Sequence, residues 1–171
     1  RRIDDADEVI GKLGDAGLAA TPRLLGAGLA AAGEFSAGVQ IRGIDIVQDA
    51  KVLLLNEQVA VGAWLDGEDP RGGVSGRKLA HTLGAGPGAE VILLSRAADG
   101  GIANDLYQGR GVLRRVGEVT DRAGIFMSSS AFRELMTLEG GAHQIIVRRP
   151  QQMTLEETAA AVRAAAPDHD V

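Results

Sequence analysis

Three histidines and one cluster of serines are the residues of this 171-residue chain whose side chains could act in catalysis. A hydrolase would pair His143 with a serine of the run Ser128–Ser130 and with an acid such as Asp121, as base, nucleophile and orienting acid. The glycine-flanked nucleophile elbow is missing, however, and serines before an apolar run also cap helices. Helix capping is therefore the preferred interpretation of the serines, and a small soluble hydrolase that uses His143 is the alternative.

The other histidines and the acidic residues do not predict a metal site. His81 lies in a predicted helix and is expected to be exposed, and His169 lies near the end of the chain. No two histidines share a helical face with a carboxylate, which excludes the zinc-protease pattern. The acidic residues at positions 4–8 lack the asparagine and glycine spacing of a metal loop. They suit the positive end of a helix, with Asp5 and Glu8 as a capping box.

Nucleotide and nucleic-acid binding are also not indicated. Residues 72–78 contain glycines and a lysine, but their spacing differs from that of a phosphate-binding loop. The run Gly26-Ala27-Gly28 lacks the strand–loop–helix context of a dinucleotide site. A formal charge of −5 argues against a general nucleic-acid binder, and the absence of cysteine excludes thiol catalysis and cysteine-ligated metals. No cofactor is predicted, and the missing catalytic constellation points to a binding or mechanical domain.

Length and hydrophobicity restrict the class of protein. A hydrophobic fraction of 45% in 171 residues is typical of a globular protein with one domain or two small ones. No apolar run reaches the roughly 18 residues that span a membrane, and residues 24–33 form the longest apolar stretch without charge. Because Arg1 begins neither a signal peptide nor a chain with an initiator methionine, we expect the sequence to be a piece of a longer protein.

Hydrophobic periodicity and turn residues predict an α+β fold with two lobes. Helices are predicted over residues 5–16, 48–65, 77–83, 128–138 and 154–166, the last with a Thr154–Glu157 capping box and Leu155 on its buried side. Strands are predicted over residues 18–33, 39–46, 91–94, 107–119, 125–127 and 143–149, with a bend or bulge at Gly28 and Gly33 and a hairpin turn at Asp99-Gly100-Gly101. One lobe would combine residues 1–72 and 120–171, and residues 73–119 would form a β-rich lobe.

The segment from Gly76 to Val91 carries the pattern of a known family. The residues Gly76, Leu79, Ala80, Leu83, Gly84, Gly88 and Val91 follow the signature LGxxLAxxLGxxxGDxVxL, and Gly43, Ile44 and Asp45 precede it by about the family distance. On these residues the chain resembles the extracytoplasmic domains of ABC-transporter permeases, the MacB-like periplasmic core domains. Such domains occur in FtsX-like, lipoprotein-releasing permeases of the LolC/LolE type and in macrolide-efflux permeases of the MacB type.

Further segments resemble the family in the same order along the chain. Gly62 with Trp64-Leu65 is similar to the segment with which the family enters its middle lobe. Residues 97–107 are similar to the hairpin of the lipoprotein-export subgroup, and residues 121–127 are similar to a strand of the family. Two departures bear on the subgroup, because Ala89-Glu90 replaces the usual Gly-Asp and Ser75 replaces an aliphatic residue. Backbone preferences agree with structural roles for the motif: Gly84 suits a left-handed helix end, Gly88 a tight turn, and Asp45 a helix cap or turn.

The resemblance implies a domain that carries out no chemistry. It implies that the domain has a porter-like α+β lobe and a smaller β-rich lobe. The domain would lie outside the cytoplasm, inserted between the first two helices of a four-helix membrane permease. A separate ATPase subunit or domain would hydrolyse ATP, and the permease would act as a dimer. The domain would relay movement and contact substrate or a periplasmic carrier or adaptor protein, in lipoprotein release. The motif residues would be structural, so no catalytic, cofactor-binding or metal-binding residue is carried over, and nucleic acid is not an expected partner.

Three alternatives remain beside lipoprotein release. They are a MacB-type efflux permease domain, a small soluble hydrolase that uses His143, and an interaction module unrelated to transport. Insertion into a permease predicts that Arg1 and Val171 are neighbours in the fold. It also predicts one span of about 20 apolar residues before Arg1 and three more after Val171 in the complete protein.

Overall fold

The computed structural model describes residues 2–171, and these residues form six α-helices and eight β-strands, which confirms the predicted α+β class. The helices are α1 (Ala6–Asp15), α2 (Ile46–Val52), α3 (Arg77–Leu83), α4 (Glu118–Ala123), α5 (Ser129–Met136) and α6 (Leu155–Ala165). The strands are β1 (Ala20–Ala32), β2 (Phe35–Ile44), β3 (Val59–Gly62), β4 (Gly72–Ser75), β5 (Glu90–Arg96), β6 (Ile102–Leu113), β7 (Gly124–Ser128) and β8 (Gln144–Val147). None of the helices within residues 2–171 is long and apolar enough to cross a membrane.

Six of the strands close into a ring of hydrogen-bonded neighbours. Around the ring, β2 pairs with β7, β7 with β4, β4 with β6, β6 with β5, β5 with β1, and β1 again with β2. The β2–β7 and β4–β6 pairs are parallel, and the other four are antiparallel. Outside the ring, β3 pairs with β6, and β8 pairs with the first residues of β1. The strands of residues 73–119 are therefore hydrogen-bonded to strands from both flanking segments.

A long hairpin supplies two adjacent strands of the ring. β1 and β2 are antiparallel along the whole of β2, and Gly33 in the turn between them has a φ of 58°, which glycine adopts without steric penalty. The predicted bend at Gly28 is wrong, because Gly28 pairs regularly with both neighbouring strands. A Cβ atom at Gly28 would lie 2.1 Å from the carbonyl oxygen of Leu94, so glycine at this position permits the close approach of β5.

The helix predicted over residues 48–65 is the largest error in the sequence-based assignment. The helix α2 ends at Val52, Leu54 adopts a left-handed φ of 55°, and a short 3₁₀ turn over Leu55–Gln58 leads into β3. The apolar residues fit helical spacing, but Val59 and Val61 pair with β6 instead. Valine at both positions favours the extended backbone, and the partner strand lies some fifty residues later in the sequence.

Two other predicted boundaries differ from the structure. The strand predicted over residues 107–119 ends at Leu113, and its last residues belong to α4. Asp5 does precede α1, but its side chain makes no capping hydrogen bond. The carboxylate instead contacts the ring of His169, with Oδ2 3.2 Å from Nε2, and this tertiary contact replaces the local one.

The start of α6 agrees with the sequence-based prediction except at Leu155. The hydroxyl of Thr154 accepts a hydrogen bond from the Glu157 N–H, and the Glu157 carboxylate accepts one from the Thr154 N–H, both at 3.1 Å, so the capping box is confirmed. Leu155 was expected on the buried side but is 74% exposed. Leu155 is the first residue of the helix and precedes Ala161–Ala166, the part that packs against α1.

Three apolar clusters hold these elements together. The main cluster joins α3 and α5 to the strand ring and contains Ile41, Leu93 and Tyr107, each at most 1% exposed. A second cluster gathers around Phe126, beneath β3 and β4. A third lies between α1, α6 and β8, where Leu13 is fully buried. The main cluster draws side chains from both predicted lobes, and the division of the chain into those lobes stays a prediction.

Candidate functional site

The family-like segment begins where α3 meets α4. Gly76 is the residue before α3, and a Cβ atom there would lie 2.0 Å from the carbonyl oxygen of Thr120 and 2.9 Å from the Cα atom of Asp121. The amide of Gly76 donates a hydrogen bond of 2.9 Å to the Gly124 carbonyl. Only glycine fits this close backbone contact without movement of α4.

The rest of the segment is built from buried apolar residues and turns. Leu79, Ala80 and Leu83 of α3 and Val91 of β5 are all buried. Gly84 ends α3 with a left-handed φ of 60°, and the backbone N–H of Ala85 donates to the Ala80 carbonyl, which closes the helix end. Gly88 has a φ of 87° in the turn before β5. Each of these residues contributes to packing or to chain reversal.

The triplet of residues 43–45 positions β2 against α5 and begins α2. A Cβ atom at Gly43 would lie 2.6 Å from the Cβ atom of Phe132, so the glycine permits α5 to pack closely on the strand. Ile44 is fully buried in the second cluster. The carboxylate of Asp45 accepts a hydrogen bond of 2.9 Å from the Gln48 N–H and caps α2.

We expect Asp45→Ala to lower the free energy of unfolding by about 1 kcal/mol, because the first amides of α2 lose their acceptor. Asp45→Asn keeps an oxygen acceptor and should lower it by less than half as much. Urea denaturation of the three proteins measures both differences. Equal losses in the two variants would show that the cap is not the source of the effect.

The residues of the hydrolase alternative are engaged separately from one another. His143 Nδ1 accepts a hydrogen bond of 2.9 Å from the Leu25 N–H, and the ring packs edge-on against Phe132. The Asp121 carboxylate accepts from the Val116 N–H, and the Ser128 hydroxyl accepts from the Ala131 N–H at the start of α5. Burial lowers the pKa of His143, which agrees with a neutral ring that accepts a hydrogen bond. The three side chains are hydrogen-bonded to three different backbone segments.

Residues near the two ends of the chain meet on one side of the fold. Arg1 lies outside the described residues, so the expected contact between Arg1 and Val171 is described only through its neighbours. Ile3 forms a bridge with Ala142, its amide 2.6 Å from the Ala142 carbonyl, and Ile3 and Val171 line the same cavity. Asp5 Oδ1 lies 3.0 Å from His169 Nε2. The first and last elements are thus adjacent.

The hydrogen bond from His169 holds the pKa of Asp5 below its usual value of 3.8. Because the folded-state pKa is depressed, this contact stabilises the fold above pH 3.8, and its contribution is lost as the pH falls through the folded-state value. We expect a carboxyl titration followed by NMR to place the Asp5 pKa closer to 3.8 in His169→Ala than in the unmodified chain. An Asp5 pKa that is the same in both proteins would contradict the contact.

A buried ion pair lies where β1 meets α2, and no sequence pattern predicts it. Arg23 donates to the Asp49 carboxylate, and the two side chains are only 3% and 2% exposed. The guanidinium groups of Arg23 and Arg42 lie 5.8 and 5.9 Å from the centre of the Phe126 ring. Burial raises the pKa of Asp49, and the charge of Arg23 opposes that shift. Since the partners are 26 residues apart, no local spacing could have revealed the pair.

An exposed apolar surface covers the outward side of β5 and its two neighbours. Its large side chains are Leu29 in β1, Ile92 and Leu94 in β5, and Ile102 and Leu106 in β6, and they are 37–87% exposed. We call these five side chains the apolar face. The inward residues of the same strands, such as Leu93 and Tyr107, fill the main cluster. An exposed apolar surface of this kind is suited to contact a partner.

Comparison with proteins of known structure gives the fold a context. The extracellular domain of the noncanonic ABC-type transporter YknZ from Gram-positive bacteria matches with a TM-score of 0.67 at 14% identity, over 92% of this chain and 81% of that one. The periplasmic region of MacB from Actinobacillus actinomycetemcomitans matches with a TM-score of 0.67 at 14% identity, over 96% and 72%. The chain has the fold of an ABC-transporter extracytoplasmic domain.

A third structure extends the same comparison. A domain of a permease protein from Porphyromonas gingivalis matches this permease-domain fold with a TM-score of 0.58 at 12% identity, over 94% of this chain and 69% of that one. No protein-family model matches the sequence, and no curated protein matches it at a significant level. The likeness that the motif predicted is therefore present in the three-dimensional structure, at identities that show the fold alone.

Proposed function

We propose that this chain is a non-catalytic extracytoplasmic domain of an ABC-transporter permease, which relays ATP-driven movement and contacts substrate or a partner protein in lipoprotein release. The observation that carries this proposal is the match of nearly the whole chain to extracellular and periplasmic domains of such transporters. The adjacency of the elements near both chain ends supports insertion between two neighbouring membrane helices. In this proposal the motif residues described above keep the domain rigid.

The proposal names partners on both sides of the membrane. An ATPase subunit would act on the domain through the membrane helices, a second permease chain would complete a dimer, and a periplasmic carrier or adaptor protein would contact the domain from outside. The position of Asp5 beside His169 supports a direct contact between the two chain ends, through which movement of one end would reach the other. Export of small molecules, as in a MacB-type permease, is the second candidate, and the likeness to the periplasmic region of MacB favours it.

Thiol labelling in cells tests the location of the domain. The chain has no cysteine, so Ser36→Cys on the exposed part of β2 introduces a unique thiol into a full-length protein whose other cysteines are removed. We expect a maleimide that cannot cross the inner membrane to label this variant in cells with a permeable outer envelope. Leu93→Cys is the matched control, because its buried thiol should react only after denaturation. Labelling of Ser36→Cys only after the inner membrane is lysed would place the domain in the cytoplasm and contradict the proposal.

Replacement of residues 1–171 by a flexible linker in the full-length protein tests the substrate. Under lipoprotein release, we expect lipoproteins to accumulate in the inner membrane while the ATPase still assembles with the permease. Normal lipoprotein release combined with sensitivity to small toxic compounds would favour the efflux candidate. Normal behaviour in both assays would contradict a role in transport.

A further inference from the structure

The strand register joins the apolar face into one continuous surface. Leu94 is the direct antiparallel partner of Leu29, and Ile92 is the direct partner of Leu106. Ile102 lies beside the end of β5, as the partner of Arg96. Directly opposed side chains in antiparallel strands have Cβ atoms about 4.5–5.5 Å apart, so these residues form one patch. Continuous apolar patches of several hundred Å² commonly mark interaction sites.

The charges on this surface have a simple arrangement. The outward side chains of β5 are, in order, Glu90, Ile92, Leu94 and Arg96: one negative, two apolar and one positive. The outward residues of β1 over 27–31 are alanine and leucine, and those of β6 over 102–108 are isoleucine, asparagine, leucine and glutamine. Glu90 and Arg96 are therefore the only charged side chains on the outward side of these three segments.

We propose that this surface binds a second copy of the same chain, with β5 of one copy packed face to face and antiparallel on β5 of the other. A two-fold axis near Leu93 places Glu90 opposite the partner's Arg96, and Arg96 opposite the partner's Glu90. It also places Ile92 and Leu94 against the same residues of the second copy. The pattern is self-complementary only when the strand is reversed, which is the arrangement that a closed two-fold interface produces.

The dimensions of β5 allow both ionic contacts at once. From Leu93 to either charged residue is three residues, or about 10 Å at the rise of a β-strand. Face-to-face sheets cross at about 30°, so each end of β5 is displaced by about 5 Å from the end of its partner strand. Glutamate and arginine side chains extending from sheets about 10 Å apart can meet across this displacement.

The chemistry of the surface favours a second copy over other occupants. A membrane surface is recognised by clusters of basic residues, and this face has a single arginine. A strongly acidic or basic protein would leave either Glu90 or Arg96 opposite a like charge. A second copy satisfies both residues and covers apolar side chains with apolar side chains. The inference does not depend on the transport proposal, because the surface would behave in this way in the chain alone.

Sedimentation equilibrium of the chain tests self-association directly. The face is small for a stable interface, so we expect a monomer–dimer equilibrium with a dissociation constant on the order of 0.1 mM. Ile92→Glu should weaken dimerisation at least tenfold, because it would bury an unpaired charge. Leu155→Glu is the matched control, since it adds the same charge at an exposed leucine of α6 and should leave the constant unchanged. Circular dichroism and thermal unfolding verify that each variant folds.

Charge reversal tests the antiparallel arrangement. Arg96→Glu creates two pairs of like charges across the two-fold axis and should weaken dimerisation about tenfold, as should Glu90→Arg. The double variant Glu90→Arg with Arg96→Glu restores opposite charges and should recover the constant of the unmodified chain within about threefold. Restoration by the double variant, together with the loss in Ile92→Glu, supports the inference. The inference is overturned if the chain stays monomeric at about 1 mM, a concentration roughly tenfold above the expected dissociation constant. It is also overturned if the double variant dimerises no more tightly than the single variants.

Discussion

Asp49→Ala is expected to lower the free energy of unfolding by about 3–5 kcal/mol, the largest loss from a single polar substitution in this fold. The substitution leaves the Arg23 guanidinium buried without its counter-ion, and a guanidinium cannot lose its proton to avoid that cost. The Phe126 ring, 5.8 Å from the guanidinium carbon, offsets only part of it. Chemical denaturation followed by circular dichroism measures the difference.

The complementary variant Arg23→Met is expected to be less damaging and to depend on pH. Burial raises the pKa of Asp49, and without Arg23 that carboxyl can become protonated and neutral. A carboxyl whose folded-state pKa lies above its unfolded value contributes stability at low pH and loses it as the pH rises through the folded-state pKa. The deficit of Arg23→Met relative to the unmodified chain should therefore grow as the pH rises, whereas that of Asp49→Ala should not grow, because position 49 then carries no carboxyl.

An exposed ion pair provides the control for the buried one. Glu118 contacts Lys78 and Arg122 on the surface of α4, where the side chains of all three residues are about half exposed or more. We expect Glu118→Ala to change the free energy of unfolding by less than about 1 kcal/mol, because water screens these charges. Equal losses in Asp49→Ala and Glu118→Ala would show that burial does not set the cost of breaking the Arg23 pair.

Gly76→Ala is expected to be the second strongly destabilising substitution, with a loss of about 3 kcal/mol. The new methyl group would lie 2.0 Å from the Thr120 carbonyl oxygen, and the obstructing atoms belong to the backbone, so no side-chain rotation relieves the contact. The helices α3 and α4 would have to separate. Thermal unfolding of the variant measures the loss, and we expect the melting temperature to fall by several degrees.

Gly86→Ala is the control for this substitution. Gly86 lies ten residues later, has no heavy atom within 4 Å of the position of a Cβ atom and has no positive φ, so alanine should change the free energy of unfolding by less than about 0.5 kcal/mol. Gly84→Ala should lie between the two, at about 1 kcal/mol, because its φ of 60° strains a residue with a Cβ atom. A loss in Gly76→Ala no greater than in Gly86→Ala would contradict the close packing of α3 on α4.

The parts of the fold that depend on neighbouring residues could be predicted from the sequence. The capping box at Thr154 and the helix end at Gly84 are determined within four residues of each position. The helix predicted over residues 48–65 is wrong because the conformation of this segment depends on the pairing of Val59 with Leu113, which no local sequence pattern reveals. The predicted cap of Asp5 on α1 is wrong for the same kind of reason, because Asp5 contacts His169, which lies 164 residues later.

The surfaces that matter for binding could be predicted only in part. Residues 90–96 alternate in their burial, but both Val91 and Ile92 are large and apolar, so the sequence alone could not show which face of the strand meets the core. The ion pair between Arg23 and Asp49 joins a strand to a helix that lies 26 residues later. The motif glycines were recognisable because the backbone requires glycine at fixed positions, through the close contact of Gly76 with Thr120 and the positive φ of Gly84 and Gly88.

The apolar cluster between α1 and α6 has a mechanical consequence. Leu13 and Ala166 belong to this cluster, which is separate from the main one, and it lies next to the elements at both chain ends. A pulling force applied between residues 2 and 171 would be borne first by the α1–α6 contact and by the Ile3–Ala142 bridge, before it reached the hydrogen-bonded ring. These two contacts would therefore separate at a lower force than the strands of the hydrogen-bonded ring.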